Sequence, residues 1–181
     1  IYQNIDFTDD ELVRGEENSD ILLLWHNHPA VVIGRHQNIW SEVSLDYCRT
    51  ERIEVARRNS GGGAVYHDMA NLNLSFITSR ARYDRRRNLQ RLSRLLDDRF
   101  AIGTEINSRE DLIVKGSEGE KVSGTASKLA AAIAYHHCTL LIDVDRTKLR
   151  RSLRQTPITG FESNATKSVR SPVTNLCTLN R

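Results

Sequence analysis

The stretch of the sequence that is richest in reactive and ligand-binding groups runs from Arg57 to Asp68 and reads RRNSGGGAVYHD. Its consecutive glycines Gly61, Gly62 and Gly63 expose backbone N–H groups and let the chain approach a ligand closely. Successive N–H groups in such a loop form a concave site for an anion. The two leading arginines add charge-assisted donors for a phosphate or a carboxylate. We therefore predict a phosphate or acyl-phosphate site here, with a flexible glycine-rich hairpin as the alternative.

This loop does not match the common nucleotide-binding fingerprints. It lacks the glycine-lysine-serine/threonine ending of a P-loop, and the GxGxxG pattern of a dinucleotide-binding turn is absent. Any phosphate chemistry must therefore use a different architecture.

A second cluster, Lys121-Val122-Ser123-Gly124, sets a lysine among small residues. An ammonium in that setting can stabilise negative charge that develops during a reaction. The alternative is an ordinary surface lysine, which is the usual location for this residue type.

The third cluster, His136-His137-Cys138, enters a strand-like segment. Adjacent strand residues face opposite sides of a sheet, so these histidines are poorly suited to share one metal ion, and we predict no metal site. Cys138 next to a histidine could act as a nucleophile, but we expect a buried structural cysteine. The three cysteines are widely spaced, which indicates neither a disulfide framework nor a zinc site and fits a reducing compartment.

Several strands must position these groups. Two apolar runs, Ile21–Trp25 and Ala30–Ile33, flank the turn residues 26–29 and predict a hairpin. Residues 53–56 predict another strand. Residues 71–78 alternate, which indicates a strand with a polar row, Asn71, Asn73 and Ser75, facing away from its apolar row.

The remaining pattern predicts helices and further strands. Leucines at helical spacing indicate an amphipathic helix over residues 84–99 with its arginines outside. Residues 147–153 predict a short basic helix, and Thr8 followed by acidic residues predicts a helix start. Residues 111–114 and 139–144 are strand-like, whereas residues 127–134 have high helical propensity next to a β-like run over 133–144. The sum predicts an α+β fold with a mainly antiparallel sheet.

Composition limits the classes of function. The chain has 181 residues, 39% hydrophobic and 27% charged, which is typical of one globular domain. Its longest apolar run, which contains residues 130–134, is far shorter than the ~20 residues of a membrane span, and its start does not resemble a signal peptide. A net charge of +3 does not require a nucleic-acid partner.

Eight arginines nevertheless lie between Arg80 and Arg99. Such a block is usually a solvated helix face, and it can also be a docking surface for an acidic partner. A non-catalytic nucleic-acid-binding module is the alternative of another class. Only one aromatic residue, Tyr83, lies in the block before Arg99, so base-stacking platforms are poorly represented.

Together these segments resemble the lipoate–protein ligase and lipoyltransferase family. The matching stretches follow the family's order along nearly the whole chain: residues 34–38, 57–68 continuing to 71–73, 121–124, 137–141, 168–171 and 174–176. The spelling Tyr135-His136-His137-Cys138 is most similar to the animal mitochondrial branch of the family.

The resemblance implies a fold: a mixed, largely antiparallel sheet flanked by helices, like the catalytic domain of biotin and lipoate protein ligases. It implies that residues 1–181 form that catalytic domain without the family's C-terminal accessory domain. It also implies lipoyl-AMP as the bound substrate, with Lys121 as the catalytic residue. The implied substrate-binding residues are Arg35, Arg58, Ser60, Gly61, Gly62, Gly63, His67, Asn71, Asp111, Ser123, Gly124 and His137.

Two positions depart from the family pattern. Ala70 stands where the family usually has glycine, so a positive φ there would cost stability. Glu110 stands where bacterial members tend to have asparagine, beside an aspartate of the nucleotide site. Octanoyltransferases of this fold carry a catalytic cysteine about three residues before the strand histidine; Ala134 occupies that position here, which argues against a thioester mechanism.

The implied activity is transfer of a lipoyl group from lipoyl-AMP, or another lipoyl donor, to the lysine of a lipoyl-carrier domain. The implied partners are the E2 subunits of 2-oxoacid dehydrogenases and the glycine-cleavage H protein, with no nucleic-acid or membrane partner. A mitochondrial location and a monomeric state are expected. The alternative within the enzyme class is a full ATP-dependent lipoate–protein ligase, and Mg²⁺ is expected only if ATP activates lipoate.

Overall fold

A computed structural model describes residues 20–153 and 163–179. The helix start expected at Thr8 and the loop residues Pro157 and Gly160 lie outside the described residues. The strands are β1 Ile21–Trp25, β2 Ala30–Ile33, β3 Glu54–Arg57, β4 Val65–His67, β5 Asn71–Ser79, β6 Thr104–Ile106, β7 Leu112–Val114, β8 Lys121–Ser123, β9 Thr125–Leu129 and β10 Ile133–Leu141. The helices are α1 Ile39–Glu42, α2 Leu45–Thr50, α3 Arg85–Phe100 and α4 Arg146–Ser152.

These strands form three sheets within the described ranges. The largest has the order β1-β5-β10-β9 with every neighbouring pair antiparallel. A second sheet has the order β3-β2-β4 and a third the order β6-β7-β8. The predicted α+β class with a mainly antiparallel sheet is confirmed, and β2 with β3 supplies the parallel pair that makes the second sheet mixed.

The central strand β5 confirms the alternation expected from the sequence. Its apolar row packs with α3 in one core, where Leu74 joins Leu89, Leu92 and Leu96. Its polar row faces the other way and is also buried: Asn71, Asn73 and Ser75 expose at most 2% of their surface. Because buried polar groups must find partners, this row marks a face of the sheet that is built to meet polar atoms.

The hairpin expected from β1 and β2 is wrong. β1 pairs with β5 in the large sheet, whereas β2 lies between β3 and β4 in the second sheet. All four residues of β2 are buried. A continuous apolar run of this kind is typical of a strand that is covered on both faces and has a parallel neighbour, rather than of one arm of a hairpin.

Residues 127–144 carry both helical and strand signals, and the structure forms strands there up to Leu141. β9 and β10 pair antiparallel from Thr125 opposite Cys138 to Leu129 opposite Ala134, so cross-strand pairing overrides the helical propensity of 127–134. The strand predicted over 139–144 is the second half of β10, which already begins at Ile133 and ends at Leu141.

The two helices predicted beyond residue 80 are confirmed to within one residue at each end. α3 begins after Asp84, whose side chain accepts from Arg87 N at 2.9 Å, and it ends at Ala101 in the left-handed conformation. α4 begins after Asp145, which caps the N–H groups of residues 147 and 148. Within residues 20–153 and 163–179, no helix has the length and apolar composition that a bilayer span requires.

Candidate active site

The loop between β3 and β4, residues 58–64, is called the glycine loop here. It is shaped by contact with the turn that follows β2. A Cβ at Gly34 would lie 2.1 Å from Gly62 O, so no other residue type fits at Gly34 without moving the loop. Gly62 itself has φ +93°, a region that side chains rarely adopt. The N–H of Arg35 donates to Ser60 O at 2.9 Å and joins the two loops. These glycines are therefore required by close backbone approach and by conformation.

Arg58 is the internal support of this loop. Its guanidinium donates to Gly61 O at 2.7 Å, to Gly63 O at 2.7 Å and to Val32 O at 3.0 Å. Burial lowers the pKa of Arg58 to about 10, yet it stays charged near neutral pH. A buried cation is tolerated where carbonyl oxygens satisfy its donors, and here those carbonyls belong to the loop itself.

Arg57 supports the neighbouring turn in the same way. Its Nη1 donates to the carbonyls of Gly34, Arg35 and Gln37 at 2.8–3.1 Å. The arginine pair was expected to supply donors for a phosphate. The hydrogen bonds that the two guanidinium groups make are instead to backbone carbonyls, so the pair holds the turn after β2 and the glycine loop in shape.

Two cavities open beside the glycine loop. The smaller, about 340 Å³, has apolar walls from Trp25, Val32, Ile77, Ala126 and Tyr135 and a polar floor from the buried row of β5. The larger, about 890 Å³, runs between the glycine loop, α4 and residues 163–173. Both volumes lie in the range of about 300–1,000 Å³ that is usual for small-molecule sites. The residues common to both walls are Ala64, Val65, His67, Lys121, Gly124, Thr139, Lys167, Ser168 and Val169.

Lys121 stands at the junction of the two cavities. Its side chain is 17% exposed and its Nζ lies 3.6 Å from Oδ2 of the buried Asp111. Gly124 lies directly beside the ammonium, because a Cβ built at Gly124 would be in van der Waals contact with Nζ at 3.7 Å. The Lys121 backbone is fixed by hydrogen bonds with Pro172 O at 2.9 Å and Thr174 N at 3.0 Å.

Two neutral histidines line the smaller cavity. Asn27 Nδ2 lies 2.9 Å from His67 Nδ1, which assigns the proton of His67 to Nε2. Burial, and then the charge of Arg58, lower the pKa of His67 to about 3 and that of His137 to about 4. His67 Nε2 and His137 Nδ1 are buried and have no hydrogen-bond partner among the described residues. They are therefore unsatisfied polar atoms buried behind the cavity wall.

His136 faces the opposite side of β10, as expected. It is fully buried and stacked on Phe76 with ring centroids 5.8 Å apart, whereas His137 contacts Tyr135 at 4.5 Å. In the described part of the chain, no three His, Cys, Asp or Glu side chains gather as a candidate metal site. Cys138 is 1% exposed and burial raises its pKa to about 12, which confirms a structural cysteine rather than a nucleophile.

The structure brings most of the expected site residues together. One or both cavity walls contain Lys121, Arg58, Gly62, Gly63, His67, Asn71, Asp111, Gly124 and His137. Among the described residues, four expected ones lie outside these walls: Arg35, Ser60, Gly61 and Ser123. Arg35 is exposed, while Ser60 and Ser123 are buried behind the loop and strand that they belong to.

Other wall residues were not expected as site residues. Trp25 and Tyr135 form the aromatic wall, with Trp25 edge-on to His137 at 6.0 Å. The alternation of β10, which puts Tyr135, His137 and Thr139 on one face, is a signal that could have identified this wall. Lys167 and Ser168 reach the site from a distant part of the chain; residues 168–171 match the family, but that match did not assign Ser168 to the site.

Both departures from the family pattern fit the backbone. Ala70 is not among the described residues with positive φ, and its N–H donates to Asp68 Oδ1 at 2.9 Å, so the turn accommodates alanine. Glu110 does have a positive φ of 59°, a conformation in which asparagine is favoured. Its carboxylate pairs with Arg85, which ties this strained residue to α3.

Residues 2–181 match the family model described as Lipoyl protein ligase A/B catalytic domain. The chain belongs to this family. The mouse protein named Lipoyl amidotransferase LIPT1, mitochondrial, is 47% identical over 180 residues, which are 97% of this chain and 47% of the mouse protein. The chain thus spans about half the length of the curated relatives it matches.

Solved structures of lipoate ligases share the fold. P. falciparum LipL1 in complex with lipoate superimposes with a TM-score of 0.77 and 32% identity, covering 90% of this chain and 44% of that chain. A lipoate-protein ligase A bound with ATP gives a TM-score of 0.65 and 26% identity, over 76% of this chain and 60% of that chain. Those two proteins bind lipoate and ATP respectively, and the family fold expected from the sequence is confirmed.

Proposed function

We propose that this domain transfers a lipoyl group from lipoyl-AMP to a lysine amine of a carrier protein. The observation that carries the proposal is the position of Lys121, which lines both a smaller, apolar cavity and a larger cavity whose charged side chains are mostly basic. Lipoyl-AMP, a mixed anhydride, likewise has an apolar acyl part and a charged nucleotide part. Its reactive carbonyl and phosphate lie where these two parts join.

The smaller cavity suits the acyl chain. Aromatic and aliphatic side chains bury apolar surface, which favours binding of an apolar group. The polar floor offers hydrogen bonds only where the ligand carries polar atoms. Because both histidines are neutral near pH 7, they add no charge that would oppose burial of an apolar chain.

The larger cavity suits the adenylate. Cations of its wall are Lys121, Arg150, Lys167 and Arg170, against one carboxylate, Glu42. That carboxylate accepts the N–H of Ser168 at 3.2 Å. The resulting excess of positive charge favours a phosphate, and the remaining volume accommodates a nucleoside.

The chemistry follows from this arrangement. The neutral amine of the carrier lysine attacks the lipoyl carbonyl carbon, the bond from that carbon to the phosphate oxygen breaks, and AMP leaves with the bonding electrons. The attacking nitrogen loses its proton to water. Negative charge grows on the carbonyl and phosphate oxygens, where the Lys121 ammonium is best able to stabilise it. Holding both reactants in register supplies much of the remaining acceleration.

The proposed carriers are the lipoyl domains of E2 subunits and the H protein, and the proposed location is the mitochondrion, which the names of the mouse and human relatives carry. The ATP-bound ligase of the same fold favours a second candidate, in which the protein also makes the adenylate from lipoate and ATP. If it does, Mg²⁺ would accompany ATP as part of that substrate.

A mass assay of an apo lipoyl domain separates these candidates. The domain is incubated with the protein and either lipoyl-AMP, or lipoate with ATP and Mg²⁺. Modification from lipoyl-AMP alone supports the transferase, and modification from both donors supports the ligase. Absence of modification from either donor contradicts both.

A further inference from the structure

Residues 163–175, here called the strap, cross the glycine loop and are tied to it at Ser168. The hydroxyl of Ser168 accepts from Ala64 N at 2.8 Å and from Gln37 Nε2 at 3.0 Å. Its own N–H donates to Glu42 Oε1 at 3.2 Å. One serine therefore joins the strap to the glycine loop, to the Gly34 turn and to the end of α1.

The strap also packs directly on the loop. A Cβ at Gly63 would lie 3.1 Å from Ser168 Oγ and 3.3 Å from its Cα, so the two backbones are nearly in contact. On the other side of Lys167, the N–H of Thr166 donates to His36 O at 3.0 Å. The backbone of Lys167 is thus held from both neighbouring residues.

Lys167 lines the same two cavities as the proposed catalytic lysine. The strap that carries Lys167 also hydrogen-bonds both sides of the Lys121 backbone, through Pro172 and Thr174. One segment therefore carries Lys167 and also holds the backbone of Lys121.

We propose that Lys167 is a second cation for the phosphate of the acyl-adenylate, and that Ser168 is the positioning residue that holds it there. The inference rests on the proposed function. As the carbonyl–oxygen bond breaks, charge on the departing phosphate increases, and an ammonium on the strap stabilises it while Lys121 serves the carbonyl side. An exposed lysine is ordinarily solvated, but this one is anchored on both sides and lines both cavities.

The test compares Lys167→Ala, Lys167→Arg and the control Lys115→Ala, an exposed lysine that is not part of either cavity wall. Initial rates of carrier modification give kcat and KM for lipoyl-AMP. Loss of a charged hydrogen bond is expected to lower kcat/KM of Lys167→Ala by about ten- to hundredfold. Lys167→Arg should retain most of the activity because it keeps the charge, and Lys115→Ala should match the wild type.

Ser168→Ala tests the positioning role. It should lower kcat/KM in the same direction, and the double variant Lys167→Ala/Ser168→Ala should be no worse than Lys167→Ala, since the serine acts through the lysine. Additive losses would contradict that role. If Ser168→Ala fails to fold, Lys167→Ala and Lys167→Arg still decide whether Lys167 contributes.

The outcomes separate this inference from the function on which it rests. A wild-type protein that transfers lipoate normally, with Lys167→Ala equal to Lys115→Ala, overturns the inference and leaves the proposed function intact. A wild-type protein with no transfer activity overturns both.

Discussion

Lys121 Nζ lies 3.6 Å from Asp111 Oδ2, a buried carboxylate oxygen that accepts no hydrogen bond from the described residues. The two groups form an ion pair at a distance too long for a hydrogen bond. The carboxylate therefore balances the charge of the lysine without occupying its donors. A partly buried ammonium held in this way is available to the oxygens of a ligand.

Replacing Asp111 by Asn should weaken catalysis. Asp111→Asn keeps the shape of the side chain but removes the charge that balances Lys121, so the ammonium loses its counter-charge and its fixed position. We expect kcat/KM for lipoyl-AMP to fall by roughly tenfold, equivalent to about 1.4 kcal/mol. Glu118→Gln, at an exposed carboxylate on the loop after β7, is the control and should be neutral. Equal rates for both variants would exclude a role for the pair.

Replacing Arg58 by Lys should destabilise the glycine loop. Lysine keeps the charge but lacks the planar fork that reaches the carbonyls of Val32, Gly61 and Gly63. Leaving such buried carbonyls without donors should lower the free energy of unfolding by roughly 2 kcal/mol or more. Urea denaturation measures this loss, and Arg94→Lys on the exposed face of α3 is the matched control. An unchanged midpoint for Arg58→Lys would show that the loop does not depend on this fork.

The buried histidines should make the protein less stable in mild acid. Burial lowers the pKa of His67 to about 3 and of His137 to about 4, from 6.5 in the unfolded chain. Between the folded and the unfolded pKa values, the unfolded chain binds protons that the folded protein excludes. The stability that the neutral histidines contribute is therefore complete above pH 6.5 and is lost as the pH falls towards 4. Urea midpoints measured from pH 7.5 to 4.5 should fall accordingly. His137→Gln should show a shallower fall, and an identical slope would contradict the assignment.

The exposed arginines of α3 remain a predicted docking surface, but Arg85 is not one of them. Arg85 pairs with Glu110, whereas Arg86 and Arg87 are exposed. The double variant Arg86→Glu/Arg87→Glu should raise KM for an acidic carrier domain at low salt, and the difference should shrink as salt screens the charges. Arg49→Glu on α2 is the control. Unchanged carrier affinity and unchanged salt dependence would rule out this surface, and loss of single-stranded DNA binding instead would favour the nucleic-acid module.

Local sequence patterns correctly predicted the elements that depend only on short-range residue spacing. The leucine spacing of α3 and the alternation of β5 each depend on one element meeting one core, and both are confirmed. Glycines at 61–63 predicted a loop that approaches a ligand closely, whereas the close approach that the structure shows is between Gly62 and Gly34.

Features that depend on long-range pairing could not be predicted in this way. The run of β2 was assigned to a hairpin because the nearby turn residues fit one, but its partners are β3 and β4. Arg57 and Arg58 were expected to face a ligand, since sequence does not reveal which carbonyls lie within their reach. Ser168 reaches the glycine loop from 104 residues away, and nothing in its own surroundings indicates that contact.

The most direct test of the account is single-turnover transfer from preformed lipoyl-AMP to an apo lipoyl domain by wild type, Lys121→Ala and the control Lys115→Ala. Preformed adenylate at saturating concentration removes any contribution of activation or weak binding. The account predicts that Lys121→Ala slows the transfer step by about a hundredfold or more, as for loss of one preorganised donor at a developing oxyanion, while Lys115→Ala matches the wild type. A Lys121→Ala rate equal to that of the control would contradict the assignment of Lys121 to the reacting group.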